Sequence, residues 1–460
     1  MKNAYLARSV AGALTAVLAF APGAHAADTW VEVTSPHFTV ISDAGERAAR
    51  SVAFDWEQLR VAIHSAWPWA RLDLDRPIVV IAVKNEDDMK AFAPQYWEER
   101  GAIHPGSVGT GGPDQLSYLI RADLSKDDLS RTLNPYFGAY WQYVSTVLGA
   151  SLRRPLPLWF SDGVSAVMAN SIVGGSTLQI GKMMEGYVSR LHNGEHPTIP
   201  ELMKIDRNSP WYARADARGA FDAMSWAFTH YLLFGDEGAH RQKFQEFVDL
   251  LVQGKGADDA FAASLGDPAS YTAGFAAYIN RMTWPFSQLK ADMSVPATSY
   301  TVRTLPVADS NIVRARFHVE MGREADARAA LDAVEKANPQ LAAAYDVEAV
   351  LADRQQRGDE AMKAYARAVE LGSTSFYSYY RWASANINAA QADTALRAKV
   401  TAAAEHAAVL NKLYPPALAL LANVSRMNGN KDDAVAYATR AVELAPGDAG
   451  IQRVLDNVKR

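Results

Sequence analysis

Residues 141–145 read Trp-Gln-Tyr-Val-Ser, and residues 157–163 read Pro-Leu-Trp-Phe-Ser-Asp-Gly. On a helix, positions i and i+4 lie on one face, so Trp141 and Ser145 are expected to project together. Asp162 follows Ser145 by seventeen positions and brings one carboxylate. An indole N–H only donates hydrogen bonds, and a serine hydroxyl is a weak neutral oxygen. One carboxylate beside such groups does not make a zinc site.

The order and spacing of these segments resemble the peptidase MA-like (gluzincin) family. There, a helix with H-E-Y-x-H precedes P-x-W-x-x-E-G; the two histidines and the later glutamate bind zinc, and the first glutamate activates water. The resemblance implies that Trp141 and Ser145 stand at the histidine positions, Gln142 at the water-activating glutamate and Asp162 at the third ligand. All four positions are changed. The chain is therefore expected to keep the fold without its reaction, with no catalytic residue, no metal and no cofactor.

Other segments agree with this resemblance in order and spacing. Residues 28–41 are similar to the opening strand of the family, and residues 45–49 begin a helix like the one that follows it. Residues 225–233, Ser-Trp-Ala-Phe-Thr-His-Tyr-Leu-Leu, resemble its S-W-x-x-x-H-x-L helix. The resemblance covers roughly residues 28–285 and implies a small mixed sheet packed with helices.

The first 26 residues are predicted to be a secretory signal peptide. Lys2 and Arg8 give a positive start, residues 10–20 are an apolar run, and residues 24–26 read Ala-His-Ala, a small-x-small cleavage site. The run is too short to span a bilayer, and no cysteine follows it to carry a lipid anchor. We expect a mature chain from residue 27 that is periplasmic or secreted and has no membrane span.

Charge and composition narrow the class of partner. Removal of the signal peptide takes the formal net charge from −5 to −7. This mild acidity argues against nucleic acid or an anionic membrane as partner. The 460 residues include no cysteine, so an exported form is stabilised by packing and not by disulfides. A hydrophobic content of 49% predicts two or more domains with substantial cores.

Local patterns place the first elements. Residues 78–83 are a continuous apolar run with β-branched side chains and are predicted to be a central strand, and residues 116–120 are a further strand candidate. Residues 105–112 are rich in glycine and are predicted to be a loop. Asp43 and Glu46 have the spacing of a helix N-cap with its reciprocal glutamate. Residues 129–282 are predominantly helical in pattern.

Beyond a proline-bounded linker at residues 296–306, the chain repeats. Ala327 and Ala361 lie 34 positions apart, which is the tetratricopeptide period, and Ala434 stands at the matching place of the last unit. The 73 positions between Ala361 and Ala434 hold one longer unit. Residues 307–460 are therefore predicted to form about four helix pairs stacked into a solenoid.

The histidines are weaker candidates for chemistry. His192 and His196 have the spacing of metal ligands, but the neighbouring Asn-Gly and Pro place them in a loop. His230 lies among apolar residues at helical spacing, so a hydrogen-bonded core histidine is the preferred interpretation.

The sequence thus predicts an α+β chain, with a degenerate gluzincin-like domain at residues 27–295 and an all-α tetratricopeptide solenoid at residues 307–460. Its expected function is non-catalytic binding of a polypeptide partner in the cell envelope, through the former active-site cleft or the solenoid. On the first helix of the last pair, Asn423 and Arg426 are the candidate partner-binding residues. Two alternatives stay open: an active zinc peptidase or other hydrolase with displaced ligands, and an N-terminal domain that is only a platform for the repeats.

Overall fold

The computed structural model describes residues 29–98, 104–124, 129–152 and 155–460. The predicted signal peptide, residues 1–26, lies outside the described residues. Within the described ranges, no helix has the length and apolar character needed to cross a membrane.

The strands of the described residues form two sheets. They are β1 (Trp30–Thr34), β2 (Thr39–Ser42), β3 (Ile78–Val83), β4 (Ser107–Gly111), β5 (Leu116–Arg121), β6 (Ile172–Gly174), β7 (Thr177–Ile180), β8 (Ser287–Lys290) and β9 (Thr301–Leu305). The larger sheet has the order β4-β5-β3-β2-β1-β9 and the smaller one the order β6-β7-β8. Strands β2, β3 and β5 run parallel to one another, and the other pairs are antiparallel.

The helices before residue 296 pack around these sheets. They are α1 (Glu46–Ala66), α2 (Glu86–Phe92), α3 (Phe137–Ser151), α4 (Leu158–Ala169), α5 (Glu185–Asn193), α6 (Ile199–Leu202), α7 (Pro210–Ala213), α8 (Ala215–Phe234), α9 (Arg241–Val252), α10 (Ala257–Ser264) and α11 (Thr272–Ile279). The predicted strands at 78–83 and 116–120 are confirmed as β3 and β5. The predominantly helical pattern after residue 129 is also confirmed, interrupted by the β6–β7 hairpin.

An aromatic cluster holds the larger sheet against α1 and α3. Trp56 is fully buried, and its ring lies 4.8–5.5 Å from those of Phe38, Tyr118, Tyr140 and Tyr143. Tyr140 and Tyr143 are three positions apart and so share the core-facing side of α3. This packing fixes the rotation of α3 and leaves its other side free to line a site.

Three local predictions are corrected by the structure. Residues 105–112 are not a loop, because they contain β4, the edge strand that pairs with β5. Asp43 does not cap α1, whose N-cap is Gly45 at φ 86°; the Asp43 carboxylate accepts a hydrogen bond from the Lys84 backbone N–H at 2.7 Å. Residues 296–306, expected to be a linker, contain β9, which pairs with β1 and completes the larger sheet.

The remaining helices form four antiparallel pairs and one closing helix. They are α12 (Val307–Glu320), α13 (Glu324–Ala337), α14 (Ala342–Arg354), α15 (Gly358–Glu370), α16 (Phe376–Asn386), α17 (Thr394–Leu410), α18 (Pro415–Met427), α19 (Lys431–Leu444) and α20 (Ala449–Lys459). The predicted number of pairs and the longer third unit, α16–α17, are confirmed.

Small residues set the contacts within these pairs. Ala327, Ala361 and Ala434 are fully buried near the start of the second helix of three units. Gly322 and Gly429 follow the first helix of their units with φ of 75° and 86°, a conformation that glycine adopts at low cost. The 34-residue repeat is therefore a repeat of both packing and turn geometry.

The helical repeats are docked on the sheet. Phe317 on α12 is fully buried and packs edge-on against Phe92 of α2, with ring centroids 5.8 Å apart. Arg316, beside it, forms an ion pair with Asp114 in the β4–β5 turn. Near the other end, Asn411 Nδ2 donates to the Asp75 carbonyl at 2.7 Å. Together with β9, these contacts tie the repeats to the N-terminal unit at several points.

Candidate functional site

A cleft opens beside the two sequence segments that first suggested a site. It has a volume of about 280 Å³ and lies between α3, α4, α5 and α8. Its walls combine aromatic, acidic and basic side chains: Phe137, Gly138, Trp141, Asp162, Ala166, Tyr187, Arg218 and Asp222. Trp141 and Asp162, which are 21 positions apart in the sequence, therefore meet at one cavity.

Close packing of α4 on α8 positions the polar side of this cleft. Gly163 lies on α4 where a Cβ atom would collide with the Ser225 carbonyl oxygen and with Thr229 Oγ1, both on α8. Because of this close approach, Asp162 on α4 reaches Arg218 on α8, whose Nη2 donates to Asp162 Oδ2 at 2.8 Å. Glycine at position 163 is thus a geometric requirement of the site.

Gly163→Ala is expected to lower the free energy of unfolding by about 1–3 kcal/mol, as overpacking of a tight core does. The added methyl group must push α8 away from α4, which also lengthens the Asp162–Arg218 contact. Gly149→Ala is the matched control, because a Cβ there has no heavy atom within 4 Å. That control should raise stability by about 0.5–1 kcal/mol, since glycine weakens a helix. Urea denaturation compares them; equal effects would show that α4 and α8 are not tightly packed.

Arg218 is held rigidly at the floor of the cleft. Its Nε donates to Asp222 Oδ1 at 2.6 Å, one helical turn away, and its guanidinium lies 3.9 Å from the ring centre of Tyr212. Two carboxylates therefore share one guanidinium. Because two carboxylates and an aromatic ring already hold this guanidinium, it loses little conformational entropy when a ligand binds.

Burial changes the protonation of the site. It raises the pKa of Asp162 to about 6, and the nearby Asp222 charge adds to this, although Arg218 opposes it. Burial also raises the pKa of Asp222. As the pH rises through about 6, Asp162 ionises and the cleft gains negative charge, and below that pH Asp162 becomes neutral. Ligand groups that donate hydrogen bonds or carry positive charge are favoured near neutral pH.

The structure separates the four positions of the degenerate motif. By comparison with the gluzincin motif, Trp141 is predicted to be buried and to fill the space that zinc and its water would occupy. This prediction is wrong, because Trp141 is only half-buried and lines the open cleft. Gln142 packs on another side of α3, where its Cβ and Cγ lie close to Gly109 of β4. Ser145 is half-buried and does not contribute to the cleft wall, so only Trp141 and Asp162 belong to the site.

A zinc ion, which the family resemblance implies, does not fit these residues. The Trp141 indole has no lone pair for a metal. The one carboxylate at a ligand position, Asp162, is bonded to the Arg218 guanidinium, whose positive charge would repel a cation. Among the described residues, no group of three or more His, Cys, Asp or Glu side chains is arranged to hold a metal.

The sequence prediction missed Arg218, Asp222 and Tyr187. Arg218 and Asp222 have the i, i+4 spacing of a helix ion pair, and that spacing was the available signal. That spacing does not by itself indicate a binding site, because such pairs are common on solvent-exposed helices. The pair forms the floor of a cleft because α4 lies close to α8.

The histidines have structural roles. His230 is fully buried, with Nδ1 2.7 Å from the Tyr278 hydroxyl and Nε2 2.6 Å from the Gly181 carbonyl oxygen. Burial lowers its pKa to about 4, so it is a neutral core histidine as predicted. His192 is not in a loop, because it lies in the last turn of α5, and its Nε2 is 2.9 Å from the Ile279 carbonyl oxygen.

The two residues predicted to bind a partner on the repeats lie on α18, the first helix of the fourth pair. Arg426 is exposed, whereas Asn423 is partly buried. At the other end of the array, α12 is turned toward the N-terminal unit through Arg316 and Phe317. The first helices therefore differ in how much of their surface is open to a partner.

The sequence matches no protein-family model. No curated protein is similar to it at a significant level.

Solved tetratricopeptide repeat (TPR) proteins match its helical-hairpin region. YrrB, a TPR protein with an unusual peptide-binding site, is 16% identical with a TM-score of 0.28, covering 33% of this chain and 75% of its own. MamA is 20% identical with a TM-score of 0.26, covering 33% of this chain and 80% of its own. A thermophilic TPR protein of Thermus thermophilus is 16% identical with a TM-score of 0.23, covering 48% of this chain and 98% of its own. Each likeness concerns the arrangement of helices alone.

Proposed function

We propose that this protein is a non-catalytic polypeptide-binding protein of the cell envelope, exported by its N-terminal signal peptide. Its N-terminal unit is related to gluzincin zinc peptidases and has lost their metal. The cleft between α3, α4, α5 and α8 binds the ligand. The tetratricopeptide array packs against the unit that contains this cleft. The observation that carries the proposal is Asp162, the third-ligand position, bonded to Arg218 in an open cleft.

The chemistry of the cleft favours a polypeptide over a small anion. Phe137, Trp141 and Tyr187 offer apolar surface, and aromatic side chains of this kind dominate peptide and protein contacts. Asp162 and Asp222 accept hydrogen bonds from backbone N–H groups or basic side chains. Each of these carboxylates is paired with Arg218 through one oxygen.

The test uses a photoreactive residue in the full-length protein inside cells. p-Benzoylphenylalanine replaces Tyr187 in the cleft, and the matched control replaces Tyr437, an exposed tyrosine on α19. A third version carries it in place of Arg426. We expect ultraviolet light to join a polypeptide to position 187, with the adduct lost when Arg218→Gln is added.

Each outcome of this experiment is decisive. An adduct at position 426 but not at 187 would move recognition to the helical array and overturn the assignment of the cleft. The absence of any polypeptide adduct at 187 and 426 would overturn the binding function. A ligand cut at a defined bond after attachment would favour the alternative of an active hydrolase.

A further inference from the structure

A second surface of the molecule has the character of a binding site. Of the ten exposed large hydrophobic side chains among the described residues, five fall within residues 282–295. They are Met282, Phe286, Leu289, Met293 and Val295, with Met282 95% exposed. Scattered exposed apolar residues need no explanation, but a concentration in one segment of fourteen residues marks an interaction surface.

This segment is firmly anchored. Trp284 is buried and stacks on Trp226, with ring centroids 5.0 Å apart. The Gln58 side chain donates to the backbone oxygen of Asp292 and accepts from its N–H, both at 2.7 Å. The exposed side chains are therefore presented by a fixed backbone.

The strand within the segment has an open edge. β8 is the last strand of the β6-β7-β8 sheet, and among the described residues β7 is its one partner strand. The Ala291 N–H donates to the Ser176 carbonyl at 3.0 Å. Hydrogen-bonded residues alternate along an antiparallel ladder, so the backbone groups of Leu289 also bond to β7. The backbone N–H and C=O groups of Gln288 and Lys290 point away from β7. The outward groups of these two residues are a template for another strand.

A cavity lies on one face of this edge. Ser287 and Leu289, which alternate along β8, line a space of about 280 Å³ whose other walls include Trp67, Phe234 and Phe244. Residues that face each other across neighbouring strands lie on the same side of a sheet. A strand added at β8 would thus place alternate side chains over this apolar cavity.

The charged residues near β8 indicate which kind of ligand can bind at its edge. Arg241 lines the cavity, and Lys290 stands on the edge itself. In residues 281–295, the one acidic residue is Asp292, whose carboxylate accepts a hydrogen bond from the Ser294 N–H. A second copy of the chain would bring the same cations face to face. Residues 1–26 of this chain, whose charged residues are Lys2 and Arg8, would be repelled as well.

We infer that β8 binds an extended segment of another polypeptide, which adds to the sheet as a strand. The segment inserts an apolar side chain into the cavity beside Leu289 and carries acidic residues at its ends. Backbone hydrogen bonds along the edge supply affinity, and the cavity and the cations supply selectivity. This site is separate from the cleft of Asp162 and does not depend on it.

The probe is a fluorescent peptide, Glu-Thr-Val-Thr-Phe-Thr-Val-Glu, titrated against the full-length protein. Two further versions carry N-methyl groups on alternate amides, one version for each edge of the extended peptide. Strand addition uses one edge only, so one version should lose at least tenfold in affinity and the other should bind like the parent. Leu289→Asp and Lys290→Glu should each weaken the parent peptide, and Val409→Asp, an exposed apolar position on α17, should not.

Each alternative ligand of this surface would give a different experimental result. Equal binding of both N-methylated versions, or no binding of the parent, would overturn strand addition. Binding of 3:1 phosphatidylcholine–phosphatidylglycerol vesicles that is lost in Phe286→Ser, without peptide binding, would assign the surface to a membrane instead. A dimer in sedimentation that Lys290→Glu disrupts would assign it to a second copy. None of these results bears on labelling at position 187.

Discussion

Arg316→Met is expected to lower the free energy of unfolding by about 3–5 kcal/mol, as the loss of one partner from a buried ion pair does. Arg316 and Asp114 are 12% and 6% exposed, so neither charge is solvated when the other is removed. Glu320 and Asp346 are also buried and are attracted to the same guanidinium. Arg316 is thus one cation facing three buried carboxyl groups where the repeats dock on the sheet.

Urea denaturation followed by fluorescence and circular dichroism measures this loss. Arg440→Met is the matched control, because Arg440 and its partner Glu443 are each more than half exposed; it should change stability by less than about 0.5 kcal/mol. Adding Asp114→Asn to Arg316→Met should recover part of the loss, since one unpaired carboxylate disappears. A loss below about 1 kcal/mol for Arg316→Met would mean that water reaches the cluster and that the docking is loose.

Glu320→Gln is expected to act in the opposite direction and raise stability by about 3 kcal/mol at pH 8. Burial raises the pKa of Glu320 to about 7, and Asp114 adds to this against the pull of Arg316. The folded protein therefore holds this proton between pH 4.5 and 7, where the unfolded chain has released it. Stability from this group falls as the pH rises through that window. The amide cannot ionise and escapes this loss.

The difference between Glu320→Gln and wild type should therefore depend on pH. It should be near zero at about pH 4, grow between pH 4.5 and 7, and stay constant above about pH 8, in urea denaturation at each pH. Glu335→Gln, a partly exposed glutamate on α13, is the control and should show a much smaller change. A difference that does not vary with pH would show that Glu320 is ionised and solvated in the folded protein.

The repeats and the central strands could be predicted because their signals are local. The β-branched run that forms β3 and the alanines spaced by 34 residues depend on neighbours in the sequence. β4 was missed because Gly109 and Gly111 usually mark turns. At Gly109 a Cβ would meet the side chain of Gln142 on α3, so this glycine serves packing within a strand. β9 was missed because its partner, β1, lies far earlier in the chain, with Trp30 opposite Leu305.

The candidate site was only half predictable for the same reason. Trp141 and Asp162 were singled out by the resemblance to the gluzincin motif, and both line the cleft. Arg218 pairs with both carboxylates of the cleft but comes from α8, and no pattern in the sequence indicates that α8 lies against α4. That contact requires glycine at position 163, because any side chain there would keep the two helices apart. A hydrophobic pattern does not show where a small residue allows such a close contact.

We propose that the cleft of Asp162 holds an ion pair where a zinc peptidase would hold its metal, and that this cleft binds a polypeptide without cutting it. The zinc content of the protein distinguishes the two possibilities. The full-length protein is dialysed against zinc chloride, gel-filtered and analysed by mass spectrometry, with Asp162→Ala measured in parallel. We expect far less than one zinc per chain in both proteins, because Asp162 is paired with Arg218 and the Trp141 indole offers no ligand. One zinc per chain in the wild type, lost in Asp162→Ala, would contradict it.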